Sequence, residues 1–156
     1  MPPSQPPAIT ICHAGPRDLD RVATLFDLYR QFYGQPANLD LARKFLSARI
    51  ERRESVILLA SRDNGDPVGF AQLYPTFCSV SAAPIFVLYD LYVDASVRRG
   101  GIGRALIQAS VKHARHAGAV RMELATAIAN DAAQTLYEAL GWVRDNEFHR
   151  YSLTLG

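Results

Sequence analysis

Three glycines within four residues, Gly100, Gly101 and Gly103, stand between the apolar run IFVLYDLYVD, which ends at Asp94, and a stretch of helical apolar spacing. The segment VRRGGIGRAL from Val97 therefore has to end a strand, turn tightly and start a helix. Beyond it, Ile102, Leu106, Ala109, Ser110 and Val111 recur at helical steps, and Lys112, His113, Arg115 and His116 gather where cations complement a helix dipole. Gly118 stops that helix, and VRMELAT then alternates Val120, Met122 and Leu124 as a strand does. This order predicts a βαβ crossover from Val93 to Met122 and so a parallel strand pair.

The rest of the chain fits a mixed α/β sheet. Ile9 and Ile11 suggest a first strand, followed by a helix that begins near the capping-type Asp18 and shares Val22, Leu25, Phe26 and Tyr29 on one face. A second helix is expected over LDLARKFLSARIERRE on the spacing of Leu41, Phe45, Ala48 and Arg49, with Gly34 and Pro36 dividing the two. SVILLAS, VGFAQLYPTF and IFVLYDLYVD, separated by the turn signals DNGDP and CSVSAAP, predict a three-stranded antiparallel meander. A helix from about Asp131 to Leu140 is closed by Gly141, leaving WVRDN and FHRYSLTL as final strands.

Composition bounds the partners. A chain of 156 residues suits one domain, taken as residues 9–156 behind a loose leader at 1–8 that contains MPPSQPP. Seventeen Lys and Arg against fifteen Asp and Glu give a net charge of +2, too small for a protein that wraps nucleic acid. The local cluster Arg98, Arg99 and Arg104 suits a small polyanion instead. Cys12 and Cys78 have no metal-ligand spacing and are expected as reduced thiols, with no metal. The leader lacks a basic flank and an apolar core, and the longest apolar stretch, Ala82 to Tyr89, is far below the ~20 residues of a membrane span. A soluble, cytoplasmic protein without a membrane partner is the expectation.

Glycines at a helix start let several backbone N–H groups approach one anion, the requirement for holding a diphosphate. The dinucleotide fingerprint is excluded because Leu106 stands where its third glycine belongs, and a P-loop is excluded because no GK[ST] follows. No GxSxG elbow or HExxH helix occurs.

Arg98, Gly101 and Gly103 fit the pattern Arg or Gln, two residues, Gly, one residue, then Gly or Ala, with VLYDLYVD before it and NDAAQTLYEALGW after it. In these three segments, roughly Ile85 to Val143, the chain resembles the GNAT superfamily of acetyl-CoA-dependent N-acetyltransferases. It is similar in particular to the branch that includes histone and D-amino-acid acetyltransferases. The resemblance implies a mostly antiparallel twisted sheet of six to seven strands, splayed between the fourth and fifth, with about four helices. It implies that backbone groups of Leu91, Tyr92 and Val93 pair with the pantetheine arm. Arg98, Arg99, Gly100, Gly101, Ile102, Gly103 and Arg104 would hold the pyrophosphate, and Asn130, Ala133 and Tyr137 would form a second cofactor segment. Asn130 and Tyr137 are seven residues apart and share a helical face.

Family likeness further implies that Tyr137 gives a proton to the departing thiolate. A phenol near pKa 10 protonating a thiolate near 8.5 is uphill by only about 2 kcal/mol. Asp90 is the candidate base or amine-binding carboxylate, and Tyr29, Tyr33, Tyr74 and Phe77, with Tyr92, are candidates to line the acceptor site. Some polyamine-acetylating relatives carry Glu where this chain has Tyr89, which argues against a polyamine acceptor. The leading expectation is acetyl transfer to a primary amine of a small molecule, an amino acid or aliphatic amine. The alternatives are protein lysine or N-terminal acetylation and a non-catalytic acetyl-CoA sensor. FHRYSLTL also suggests a homodimer, since the family commonly dimerises through its C-terminal strands.

Overall fold

The computed structural model describes residues 8–156. The leader expected at 1–8 lies, except for Ala8, outside the described residues. The chain divides into two compact units, one running to Leu124 and the other from Ala125 to Gly156.

The first unit contains β1 (Ile9–His13), α1 (Leu19–Phe32), α2 (Leu39–Glu51), β2 (Val56–Arg62), β3 (Pro67–Cys78), β4 (Ala83–Val93), α3 (Ile102–His116) and β5 (Met122–Glu123). Strands lie in the order β1-β2-β3-β4-β5, antiparallel except for the parallel pair β4 and β5. The meander and the crossover are thus as the turn signals and glycine helix imply. A connection as long as 94–121 is what a parallel pair needs.

α1 and α2 cover one face of the sheet. Val22, Ala23, Leu25 and Phe26 of α1 are buried, and Phe26 stacks on Phe45 at 5.5 Å and meets Phe70 edge-on at 6.1 Å. Buried Asp27 accepts the Asn38 N–H at 2.8 Å and the Gln31 amide at 3.2 Å, which ties α1 to the start of α2. Asn38 in turn caps α2 by accepting from Leu41 N at 3.0 Å. The buried face of α2 is formed by Ala42 and Leu46, one residue beyond the expected Leu41, which is exposed. The cap sets that phase, since it fixes the helix start and therefore which residues face the sheet.

On the opposite face lies α3, buried through Ile102, Leu106, Ile107, Ser110 and Ala114. Its close approach depends on Gly69 of β3. A Cβ there would stand 2.9 Å from the Tyr92 carbonyl oxygen, 3.2 Å from Leu106 and 3.4 Å from Ile102. An imidazole pair also joins β1 to α3, with His13 Nε2 and His113 Nδ1 2.9 Å apart.

Strand content differs from expectation at the C-terminal end. β5 is two residues long, Val120 is exposed, and residues 142–156 contain no strand, so the sheet has five strands among the described residues rather than six or seven. The second unit contains α4 (Asp131–Ala139), and Val143, Phe148, Tyr151, Leu153 and Leu155 after it are all more than three-quarters exposed. Alternation makes a segment competent for a strand, but only a partner edge makes it one.

Gly69→Ala is expected to push α3 from the sheet at a cost of about 1–3 kcal/mol, lowering Tm by ~3–10 °C. Thermal unfolding followed by circular dichroism checks this, and an unchanged Tm would contradict the close packing.

Candidate active site at the β4 edge

The β3–β4 register slips by one residue. Gln72 stands opposite Asp90, but Leu73 stands opposite Leu88, so Tyr89 is the extra, bulged residue of β4. Its side chain is 63 % exposed. Because directly opposed residues share a face, Gln72, Asp90, Phe70 and Tyr92 all point to the α1 side. On its other edge β4 meets β5 only at Phe86 and Val87. From Leu88 to Val93 that edge has no strand neighbour among the described residues, which leaves backbone donors and acceptors for an extended ligand.

The loop after β4 is built to receive an anion. Asp94 accepts from Ser96 N at 2.9 Å and Ser96 Oγ at 2.6 Å, pinning a short turn, and these bonds hold its carboxyl below the usual range. Arg99 (φ 69°) and Gly101 (φ 78°) both occupy the left-handed region, and such reversals turn successive N–H groups toward one point. Glycine accepts that conformation freely; Arg99 adopts it at a cost, a feature that clusters at functional loops. Of the four α-helices among the described residues, α3 alone has neither an acidic residue in its first turn nor a side-chain cap. The N–H groups of its first turn are therefore available. These residues fit a pyrophosphate.

Arg98 is engaged differently from a free phosphate ligand. Its Nε donates to the Val93 carbonyl at 3.0 Å, and its guanidinium lies 5.8 Å from the ring centres of both Phe32 and Tyr92. The first arginine of the motif thus anchors the loop to the end of β4.

Asp90 lies in the interior, 4 % exposed. Gln72 Nε2 donates to its Oδ2 at 2.6 Å, and the Tyr29 hydroxyl also hydrogen-bonds to it. Burial pushes its carboxyl above the usual range against the pull of those two bonds, and no cation contributes. The same burial, reinforced by the Asp90 charge, pushes the hydroxyls of Tyr29 and Tyr74 upward, so both stay protonated. Tyr29 packs against Tyr33 at 5.1 Å, Phe70 at 5.8 Å and Tyr92 at 6.4 Å, and Tyr74 against Tyr89 at 5.2 Å. A buried carboxylate surrounded by aromatic rings and lacking a counter-charge is suited to a cationic ligand.

Residues 22–142 match the family model for the acetyltransferase (GNAT) family. The chain belongs to the GNAT acetyltransferase family. Among its relatives, the uncharacterized N-acetyltransferase YhfO of Bacillus subtilis is 42% identical over 147 residues, 94% of this chain and 98% of that protein. A crystal structure of a probable acetyltransferase has 41% identity and a TM-score of 0.89, over 94% of this chain and 98% of its own. The aminoglycoside N-acetyltransferase AAC(6')-Iy, solved in complex with CoA, has a TM-score of 0.80 over 97% of this chain and 99% of its own; at 19% identity it shows the fold alone. The protein is an acyltransferase, an acetyltransferase of the GNAT type.

Within this GNAT chain, the structure brings Asp90, Tyr29, Tyr74 and Tyr92 together, with Tyr33 adjoining through Tyr29. Phe77 is not among them. It is 78 % exposed, and its odd spacing from Gln72 and Tyr74 turns it to the other face of β3. In the second unit Asn130 caps α4, its side chain accepting from Ala133 N at 3.2 Å, and the Tyr137 ring lies 6.0 Å from Trp142. Gln72 and Ser55 are absent from the sequence reading. The available signal was Gln72 itself, a polar residue inside the apolar run GFAQLY.

A carboxyl raised in the folded state binds its proton more tightly there, so stability falls as pH climbs from the ordinary carboxylate value through the raised one. Asp90→Asn is therefore expected to melt ~2–6 °C higher than the wild type at pH 8, the gain shrinking toward pH 4. Differential scanning calorimetry across that range checks it; a lower Tm for Asp90→Asn at pH 8 would contradict the missing counter-charge.

Proposed function

We propose that this enzyme transfers the acetyl group of acetyl-CoA to the primary amine of a small molecule whose ammonium form docks against Asp90. The observation that carries the proposal is the buried carboxylate with two neutral donors, several tyrosines and no cation. Buried charges in folded proteins are paired. Here the missing partner is the acceptor.

Acetyl-CoA supplies an activated thioester carbonyl and a thiol leaving group. The free edge of β4 at Leu91, Tyr92 and Val93 would pair with the pantetheine arm, and a backbone N–H there would donate to the carbonyl oxygen, an interaction worth about 2.7–4 kcal/mol where one such donor is removed. Amides from Arg99 through Gly100, Gly101, Ile102 and Gly103 to Arg104 would hold the pyrophosphate, with Arg98 fixing the loop. Asn130, Ala133 and Tyr137 would supply the second cofactor segment, and the Tyr137 hydroxyl would give its proton to the departing sulfur.

Asp90 takes the proton of the amine. A lysine-like amine near pKa 10.4 is only about 0.04% neutral at pH 7, equivalent to about 5 kcal/mol. A carboxylate whose proton affinity is raised by burial lowers that barrier more than an exposed one. Its ring-lined surroundings favour a compact amino acid or aliphatic amine.

The test is CoA release from acetyl-CoA over a panel of free amines, amino acids and lysine or N-terminal peptides. Turnover is expected with small amines, with kcat about 10²-fold lower in Tyr137→Phe while CoA affinity is retained. Turnover confined to peptides would replace this reading by protein acetylation, and CoA binding without release across the panel would indicate a sensor.

A further inference from the structure

We infer that Gln72, locked by Ser55, is the positioning residue that presents Asp90 to the acceptor amine. The inference rests on the reading of Asp90 given above. Gln72 is wholly buried in β3, directly opposite Asp90 in the ladder. Its Nε2 donates to Asp90 Oδ2 at 2.6 Å, and its Oε1 accepts from Ser55 Oγ at 2.9 Å.

A carboxylate can only accept, so the amide must turn its nitrogen toward Asp90, which leaves its oxygen needing a donor. Ser55, just before β2, is that donor. Without it the amide has no partner to hold it in that sense. The ladder itself does not require this polar chain: the neighbouring cross-strand pair on the same face, Phe70 and Tyr92, meets the same geometry with aromatic rings. Buried polar groups of this kind are commonly no more stabilising than well-packed apolar ones.

The chemistry of the donor set points to function. A lysine or arginine at position 72 would satisfy the carboxylate and compete with an incoming ammonium. A neutral amide orients the same carboxylate and leaves its charge unspent. Tyr29 acts alike from α1, its hydroxyl bonded to Asp90. Tyr74 of β3 also feels the Asp90 charge, and the groups that bear on Tyr29 and Tyr74 in turn are Tyr33 of α1, Tyr89 of β4 and Arg49 of α2, whose guanidinium pairs with Glu54 at 2.5 Å. None supplies Asp90 with a positive charge.

The experiment follows the Asp90 carboxyl ¹³C resonance against pH, assigned by its loss in Asp90→Asn, beside kcat/KM at pH 8 for the best amine of the panel. Gln72→Leu removes a donor from the ionised form. The titration midpoint is expected to rise by about one pH unit and kcat/KM to fall about 10-fold. Ser55→Ala should move both in the same direction by less, and Ser55→Thr, which keeps the hydroxyl, should match the wild type. A stationary midpoint in folded Gln72→Leu, with Asp90→Asn inactive, overturns the role of Gln72 and leaves that of Asp90 standing. Full activity in Asp90→Asn overturns both. If Gln72→Leu does not fold, the serine pair decides, and equal midpoints in Ser55→Ala and Ser55→Thr overturn the inference.

Discussion

The extra residue that β4 accommodates at Tyr89 is the constraint from which the site follows. Before the bulge, Val87 pairs with Tyr74; after it, Asp90 pairs with Gln72, so two residues three apart in sequence face the same side of one strand. An unbroken strand would turn Asp90 to the opposite face with Phe86 and Leu88, where Phe86 meets His113 of α3 at 5.4 Å. The bulge instead sets it beneath α1, beside Tyr29 and Tyr92. It also marks where β4 loses its neighbour, since β5 pairs no further than Val87. One irregularity thus coincides with both the carboxylate and the open edge.

Two groups in the first unit are left without a partner of complementary character. The start of α3 carries free N–H groups without a cap or an acidic residue, and Asp90 carries a carboxylate without a cation. Burying the second is a cost to folding. Asp27 shows how the fold treats a buried carboxylate that serves structure: it accepts a backbone N–H and a side-chain amide and fixes a helix connection. Asp90 accepts from the side chains of Gln72 and Tyr29 and fixes no loop or helix start. The two groups match the two ends of the proposed reaction, a pyrophosphate at the helix start and an ammonium at the carboxylate.

Much of this was legible in the sequence because it depends on local chemistry. Gly100, Gly101 and Gly103 mark the strand-to-helix turn, apolar periodicity fixes α1 and α3 to within a residue or two, and DNGDP places the β2–β3 hairpin. What was not legible depends on pairing at a distance. The bulge at Tyr89 arises from register between two strands, and neither strand announces it alone. Gln72 and Ser55 are separated from Asp90 by 18 and 35 positions, and only the ladder brings the three together. Phe77 was drawn toward the acceptor site by its aromatic character, yet alternation along β3 turns it away. The final strands failed for a related reason: Tyr151, Leu153 and Leu155 alternate correctly but have no edge to join among the described residues.

The central claim is that Asp90 is an anionic site awaiting a cation, and it is tested most directly by comparing a primary amine from the active panel with the alcohol of the same carbon skeleton. Calorimetric titration of each into the protein saturated with CoA separates charge from shape. The account predicts that the ammonium binds at least about 10-fold more tightly than the alcohol at pH 8, a difference of ~1.4 kcal/mol, and that Asp90→Asn abolishes the preference. Equal affinities in the wild type would contradict it.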